Sequence, residues 1–223
     1  MNTQPNELII RIKSTGQIVV EDITDGIVSV KSISHSDLSK SIEKSFKSEN
    51  FINSGILPQN CIAYKYDTES ENQYVAIEVK ADCYDITYLK TLYEHFPLPK
   101  LVLGFYINKD GYINNVTLGV VPNDTLKENS PMYIYPFSNV FGFSLCTGAN
   151  RLPVIHSLAQ LSNLPLYILS LPNNNDHFNE RNNVLRLGHR ELMEYMKNKD
   201  CNHYYEKVLI PMGNKTPKNF INQ

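Results

Sequence analysis

Two β-rich runs, Leu101 to Ile107 and Tyr112 to Val121, are separated only by Asn108-Lys109-Asp110-Gly111. A connection that short joins antiparallel neighbours, with Gly111 where a left-handed backbone angle is needed. An antiparallel sheet is therefore the frame into which the rest of the chain must fit. Glu7 to Lys13 and Gln17 to Ile23 flank Ser14-Thr15-Gly16 as a second hairpin, and Gly26 to Ile33 follows as another strand. Cys61 to Tyr66 and Tyr74 to Val79 read as two more. Between these groups Ser36 can cap a helix in which Leu38, Ile42 and Phe46 recur every four residues, ended by Asn53-Ser54-Gly55.

Past the central hairpin, Met132 to Tyr135 is a short strand stopped by Pro136. Phe137 to Asn150 has no period and reads as an irregular, partly apolar loop. The last third is helical with loops. Pro153 to Leu161 carries Ile155, Leu158 and Ala159 on one stripe, and Leu164 to Leu171 is an apolar run ended by Pro172-Asn173-Asn174-Asn175-Asp176. Gly188 to Lys199 is a helix with Leu192, Tyr195 and Met196 facing inward. Strands first and helices last imply an α/β chain of the α+β class. The expected organisation is one domain over residues 1–213, with a strand-rich extension over 1–35 and a polar, frayed tail from Asn214 to Gln223.

Composition excludes several functions. A net charge of −2 with no Lys/Arg stripe argues against a dedicated nucleic-acid binder. No run approaches the ~18 apolar residues of a membrane span, and the polar start from Met1 to Glu7 is no signal peptide, so the expected location is cytoplasmic. Cys61, Cys83, Cys146 and Cys201 are far apart, with no Cys-x-x-Cys or Cys-x-x-His pair, which indicates neither a structural zinc site nor a disulfide framework. There is no Gly-rich phosphate loop, no Gly-x-Ser-x-Gly and no His-Glu-x-x-His. No cofactor and no metal are expected.

One constellation remains. From Met132 to Gly148 a strand enters, Pro136 breaks it, Asn139 stands among apolar residues, and Cys146 follows between Gly142 and Gly148. A Cys in such a segment can face solvent, as a nucleophilic thiolate must. A rigidly held Asn amide can donate to a developing oxyanion. A plainer role fits the same residues: Cys146 as core, and Asn139 as the closing residue of an Asx turn.

Pro136-Phe137-Ser138-Asn139-Val140 followed by Leu145-Cys146-Thr147-Gly148 resembles the active-site region of ubiquitin-conjugating enzymes. More specifically, the chain from about Leu38 onward is similar to the prokaryotic ubiquitin-conjugating-like family D, the PRTRC system protein B type. Further tokens are Gly55-Ile56-Leu57-Pro58, Pro131-Met132-Tyr133, and the late His in Asn175-Asp176-His177-Phe178. The family-general His is replaced here, since the tripeptide is Phe137-Ser138-Asn139; family D also lacks it and carries a His after the Cys, for which His177 is the match. The loop from Asn139 to Cys146 is about one residue shorter than in eukaryotic conjugating enzymes.

The resemblance implies a ubiquitin-conjugating-like fold with an antiparallel meander, a Cys loop and C-terminal helices. It implies thioester chemistry at Cys146, oxyanion stabilisation by Asn139, and thiol tuning or proton acceptance by His177. The partners it implies are a ThiF-like activating enzyme and a ubiquitin-like protein, with a JAB-type peptidase in the same functional company. Two rivals stay open: an inactive member of the same fold that binds a ubiquitin-like partner with Cys146 buried, and an unrelated structural protein of a mobile element.

Overall fold

The computed structural model describes residues 7–24, 26–45 and 53–223. The chain divides between Asn53 and Ser54 into two compact units.

The first unit holds a three-stranded antiparallel sheet, β1 (Glu7–Ile12), β2 (Ile18–Thr24) and β3 (Ile27–Ile33), followed by helix α1 (His35–Ser45). The Gly16 amide donates to the Lys13 carbonyl (2.8 Å), closing the expected turn. The cap of α1 is Ser34 rather than Ser36: its hydroxyl accepts from the Asp37 amide (3.1 Å) and donates to the Asp37 carboxylate (2.7 Å). A cap must bond an amide one turn inside the helix, and here Ser34 is the residue with that reach. Leu38 is half-buried; Phe46 of the expected stripe lies outside the described residues.

The second unit is built on a six-stranded antiparallel sheet. Its strands are β4 (Cys61–Tyr66), β5 (Gln73–Val79), β8 (Leu101–Ile107), β9 (Ile113–Val120), β10 (Val140–Phe141) and β11 (Ser144–Leu145), in the spatial order β10-β11-β9-β8-β5-β4. The turn between β8 and β9 forms as its residues demand. The Asn108 side chain accepts from the amides of Asp110 and Tyr112, and Gly111 takes a φ of 84°. A hairpin that no period announced, β6 (Asp82–Tyr88) and β7 (Thr91–Leu98), is inserted between β5 and β8. Its alternation is broken by a bulge at Tyr84/Ile86, where the Asp85 carboxylate accepts from the His95 amide (2.9 Å).

Both faces of this sheet are covered. One carries Leu101, Leu103, Phe105 and Ile107 into the main core, with Leu161, Ile168, Leu192 and Met196 from the helical third. Those residues come from a 3-10 turn (Leu158–Asn163), α2 (Leu164–Ser170) and α3 (His189–Met196). The other face carries Tyr74, Ala76 and Val102 against Met132, Phe143 and Phe220. Close approach fixes Gly104 between the two: a Cβ there would meet the Tyr74 hydroxyl at 2.5 Å and crowd Thr117 Oγ1.

Several expectations need correction. The frayed tail expected from Asn214 to Gln223 contains helix α4 (Pro217–Ile221). That helix is capped by Thr216, and its Phe220 is fully buried at 5.0 Å from the Phe143 ring. Met132 to Tyr135 forms no strand, only a bridge at Tyr133 to Val120 and Pro211. The stripe from Pro153 is helical only from Leu158, and Tyr195 of α3 is half-buried, its hydroxyl bonded to the His203 ring at 2.8 Å. The supposedly irregular loop contains the β10–β11 hairpin, turned at Gly142 with a φ of 60°.

Candidate functional site

The segment carrying Cys146 is anchored before it turns. Pro136, Phe137 and Ser138 are buried, and the Phe137 ring packs edge-on to Phe96, Tyr135 and Tyr204 at 5.6 to 6.1 Å. Asn139 then adopts a left-handed backbone (φ 65°), a conformation Asn tolerates better than most residues. That kink sends the chain into β10, round Gly142 and back along β11, which pairs with β9 through Ser144 and Thr117. The Cys146 amide donates to the Asn139 carbonyl (2.7 Å), closing the neck of the hairpin. The expected pair is thus joined through its backbone, and Cys146 follows a strand end with its side chain exposed.

A second segment completes the site. The Asn139 amide donates to the Asp176 carbonyl (2.7 Å). Residues 173–178 are held in turn by the end of β6: the Asn173 amide donates to Thr87, the Leu89 amide to Asn173, and the Tyr88 hydroxyl to the Asn175 side chain (2.8 Å). Between the two segments lies an open cleft of about 180 Å³, lined by Asn139, Cys146, Thr147, Gly148, Asn150, Leu171, Pro172, Asn174 and Asp176. A smaller recess of about 30 Å³ behind it shares Asn139 and Cys146 and adds Ser138, Tyr135 and Asn173.

The side chains in the cleft are unequal in freedom. Asn150 Nδ2 is committed to the Thr147 carbonyl and Asn174 Nδ2 to the Asp176 carboxylate, both at 2.7 Å. The Asn139 side-chain amide makes no hydrogen bond to the described residues, so it is the cleft's free amide donor. Of the other thiols, burial pushes Cys61 up, and burial, with Cys83 beside it, pushes Cys201 up to about 11. Cys83 is exposed but lies in β6, away from this cleft's lining.

His177 is not among the residues of the cleft. It is exposed, has a left-handed φ of 58°, and sets its ring against Phe141 at 5.9 Å. The residue before it, Asp176, is the one that reaches both Asn139 and the cleft. Nothing in the sequence distinguished Asp176 from the other polar residues of its Asn-rich stretch. Among the described residues no group of three or more His, Cys, Asp or Glu side chains is placed to hold a metal ion, and no helix is long and apolar enough to cross a membrane.

No protein-family model matches the chain, and no curated protein or solved structure matches it significantly.

Proposed function

We propose that this chain is a ubiquitin-conjugating-like acyl carrier. Cys146 accepts the activated C-terminus of a ubiquitin-like protein from a ThiF-like activating enzyme and passes it to a nucleophile. The observation that carries the reading is the hydrogen bond from the Cys146 amide to the Asn139 carbonyl, which brings an exposed thiol and a free side-chain amide to one cleft. In loading, the Cys146 thiolate attacks the carbonyl carbon of the incoming thioester. The bond to the activating enzyme's sulfur breaks, and that sulfur leaves as thiolate. In discharge, an amine attacks the Cys146 thioester and Cys146 leaves as thiolate, while the amine loses a proton.

The order of elements agrees with the resemblance. An antiparallel meander of β4, β5, β8 and β9 comes first, then the hairpin ending at Cys146, then the helical third, with β6–β7 as an insertion. The exposure of Cys146 speaks against a binding module with a buried thiol. His177, packed on Phe141 beside Asp176, belongs in this reading to the rim past which an amine would approach.

The test is to mix the chain with its activating enzyme, ATP and the ubiquitin-like protein, and to run non-reducing gels. A reductant-sensitive adduct is expected that disappears in Cys146→Ala; an adduct that survives that substitution would sink the reading. Asn139→Ala should still charge but discharge to amines roughly a hundredfold more slowly, the usual cost of losing one oxyanion donor. If it instead loses charging and melting temperature together, Asn139 only holds the neck of the hairpin.

A further inference from the structure

Helix α3 opens with a residue that the chemistry above does not use. His189 is 4% exposed, and neither ring nitrogen has a hydrogen-bond partner among the described residues. The imidazole is enclosed by rings instead. Phe178 stacks on it at 4.6 Å and 4° between planes, Tyr88 lies at 4.1 Å and Phe137 at 6.0 Å.

Each ring belongs to a different part of the cleft's support. Phe178 ends the 173–178 segment, which offers the Asp176 carbonyl to Asn139. Tyr88 ends β6 and bonds Asn175 of that segment, and Phe137 leads into Asn139 itself. One side chain therefore joins the three pieces that set the position of Asn139. A buried polar ring without hydrogen bonds is costly in itself, so its contribution here has to come from stacking, which a neutral ring supports.

We propose that His189 is a positioning residue for the Cys146 cleft: its neutral imidazole clamps the 173–178 segment beneath Asn139, and protonation of the ring releases that segment. The functional meaning rests on the reading of Asn139 and Cys146 given above; the clamp itself does not require it.

Burial and the one neighbouring charge keep the ring neutral in the clamped state. Burial holds its pKa down to about 4 from the ordinary 6.5, and the adjacent Arg190, whose guanidinium sits 5.2 Å over the Tyr88 ring, pushes the same way. Tyr88 is the titratable group facing it from β6, and Phe137 and Phe178 bring no charge. The Asn174 carbonyl favours the protonated ring but is outside hydrogen-bonding geometry with it. No carboxylate among the described residues bears on the imidazole. A depressed folded pKa means that the clamp is at full strength above pH 6.5 and is lost as pH falls toward 4. With these two values, the released form gains roughly thirtyfold by pH 5.

The experiment follows the full chain by NMR between pH 8 and pH 4.5. It measures exchange of the Asn139 amide, corrected for intrinsic rate, against the Leu103 amide of the central sheet, together with the His189 imidazole signal. Asn139 protection should fall roughly thirtyfold by pH 5 while Leu103 holds, and the imidazole of the clamped form should stay largely neutral until pH approaches 4. His189→Phe keeps a ring and removes the proton, so its Asn139 protection should stay flat.

An equal acid loss in His189→Phe would overturn the proposal, as would parallel loss at Leu103 in the wild type. If the variant does not fold, the wild-type titration decides. Asn139 protection that begins to fall near pH 6.5 while Leu103 holds and the imidazole stays largely neutral supports the clamp, and Asn139 protection unchanged down to pH 4.5 rejects it. None of these readings depends on thioester formation, so failure of the clamp and failure of the carrier chemistry are told apart.

Discussion

The two antiparallel meanders are drawn from equally β-rich sequence and end in opposite states of burial. In the first unit β3 reads IVSVKSI, and Ile27, Val28 and Val30 are all exposed. In the second, β8 reads LVLGFYI and every residue but Tyr106 is buried. Strand propensity is a local property that both runs share. Burial needs a layer on each face, and β8 has one on both: the helices on one side, Met132, Phe143 and Phe220 on the other. Hydrophobic side chains stabilise a fold only through the area that leaves water, so substitutions in β8 should be felt and those at Ile27, Val28 and Val30 of β3 should not.

Phe220→Ala should break that comparison most sharply. Removing a fully buried ring costs about 3–5 kcal/mol, read as a drop in the denaturation midpoint of the second unit. A change under about 1 kcal/mol would mean that α4 does not cover the sheet, and that β8 is closer to β3 than its burial implies. Gly104→Ala comes next: the new methyl meets Tyr74 and Thr117, and overpacking of this kind costs about 1–3 kcal/mol. Near-neutral behaviour there would show the Tyr74 ring free to swing away. At the small end, Val30→Ala removes a side chain that is 65% exposed and should shift stability by no more than about 0.5 kcal/mol. A loss several times larger would show Val30 covered in solution and erase the contrast.

Legibility follows the same division between local and layered information. The β8–β9 hairpin was readable because Asn108 and Gly111 act within five residues of one another. The exposure of Cys146 was readable for a similar reason, since the glycines around it mark a turning chain. The β6–β7 hairpin was not, because its bulge and its acidic residues break the alternation on which a strand is recognised. Phe220 looked like one aromatic in a polar tail; its burial is set by Gly119 and Phe143, 101 and 77 residues before it. Asp176 and His189 were missed because what matters in each is a partner distant in sequence: Asn139 for the first, three rings for the second.

The bond from the Cys146 amide to the Asn139 carbonyl bears on how long a loaded carrier would survive. Many acyl-transfer sites meet the developing negative charge with the nucleophile's own backbone amide. Here that proton is already given to Asn139. Water attacking a thioester on Cys146 would find no donor in the nucleophile's own backbone amide, and the Asn139 amide nearby is on a side chain that an arriving acceptor could orient. On the proposed reading, spontaneous hydrolysis is slow for a structural reason, and cargo stays in place until an acceptor enters the cleft.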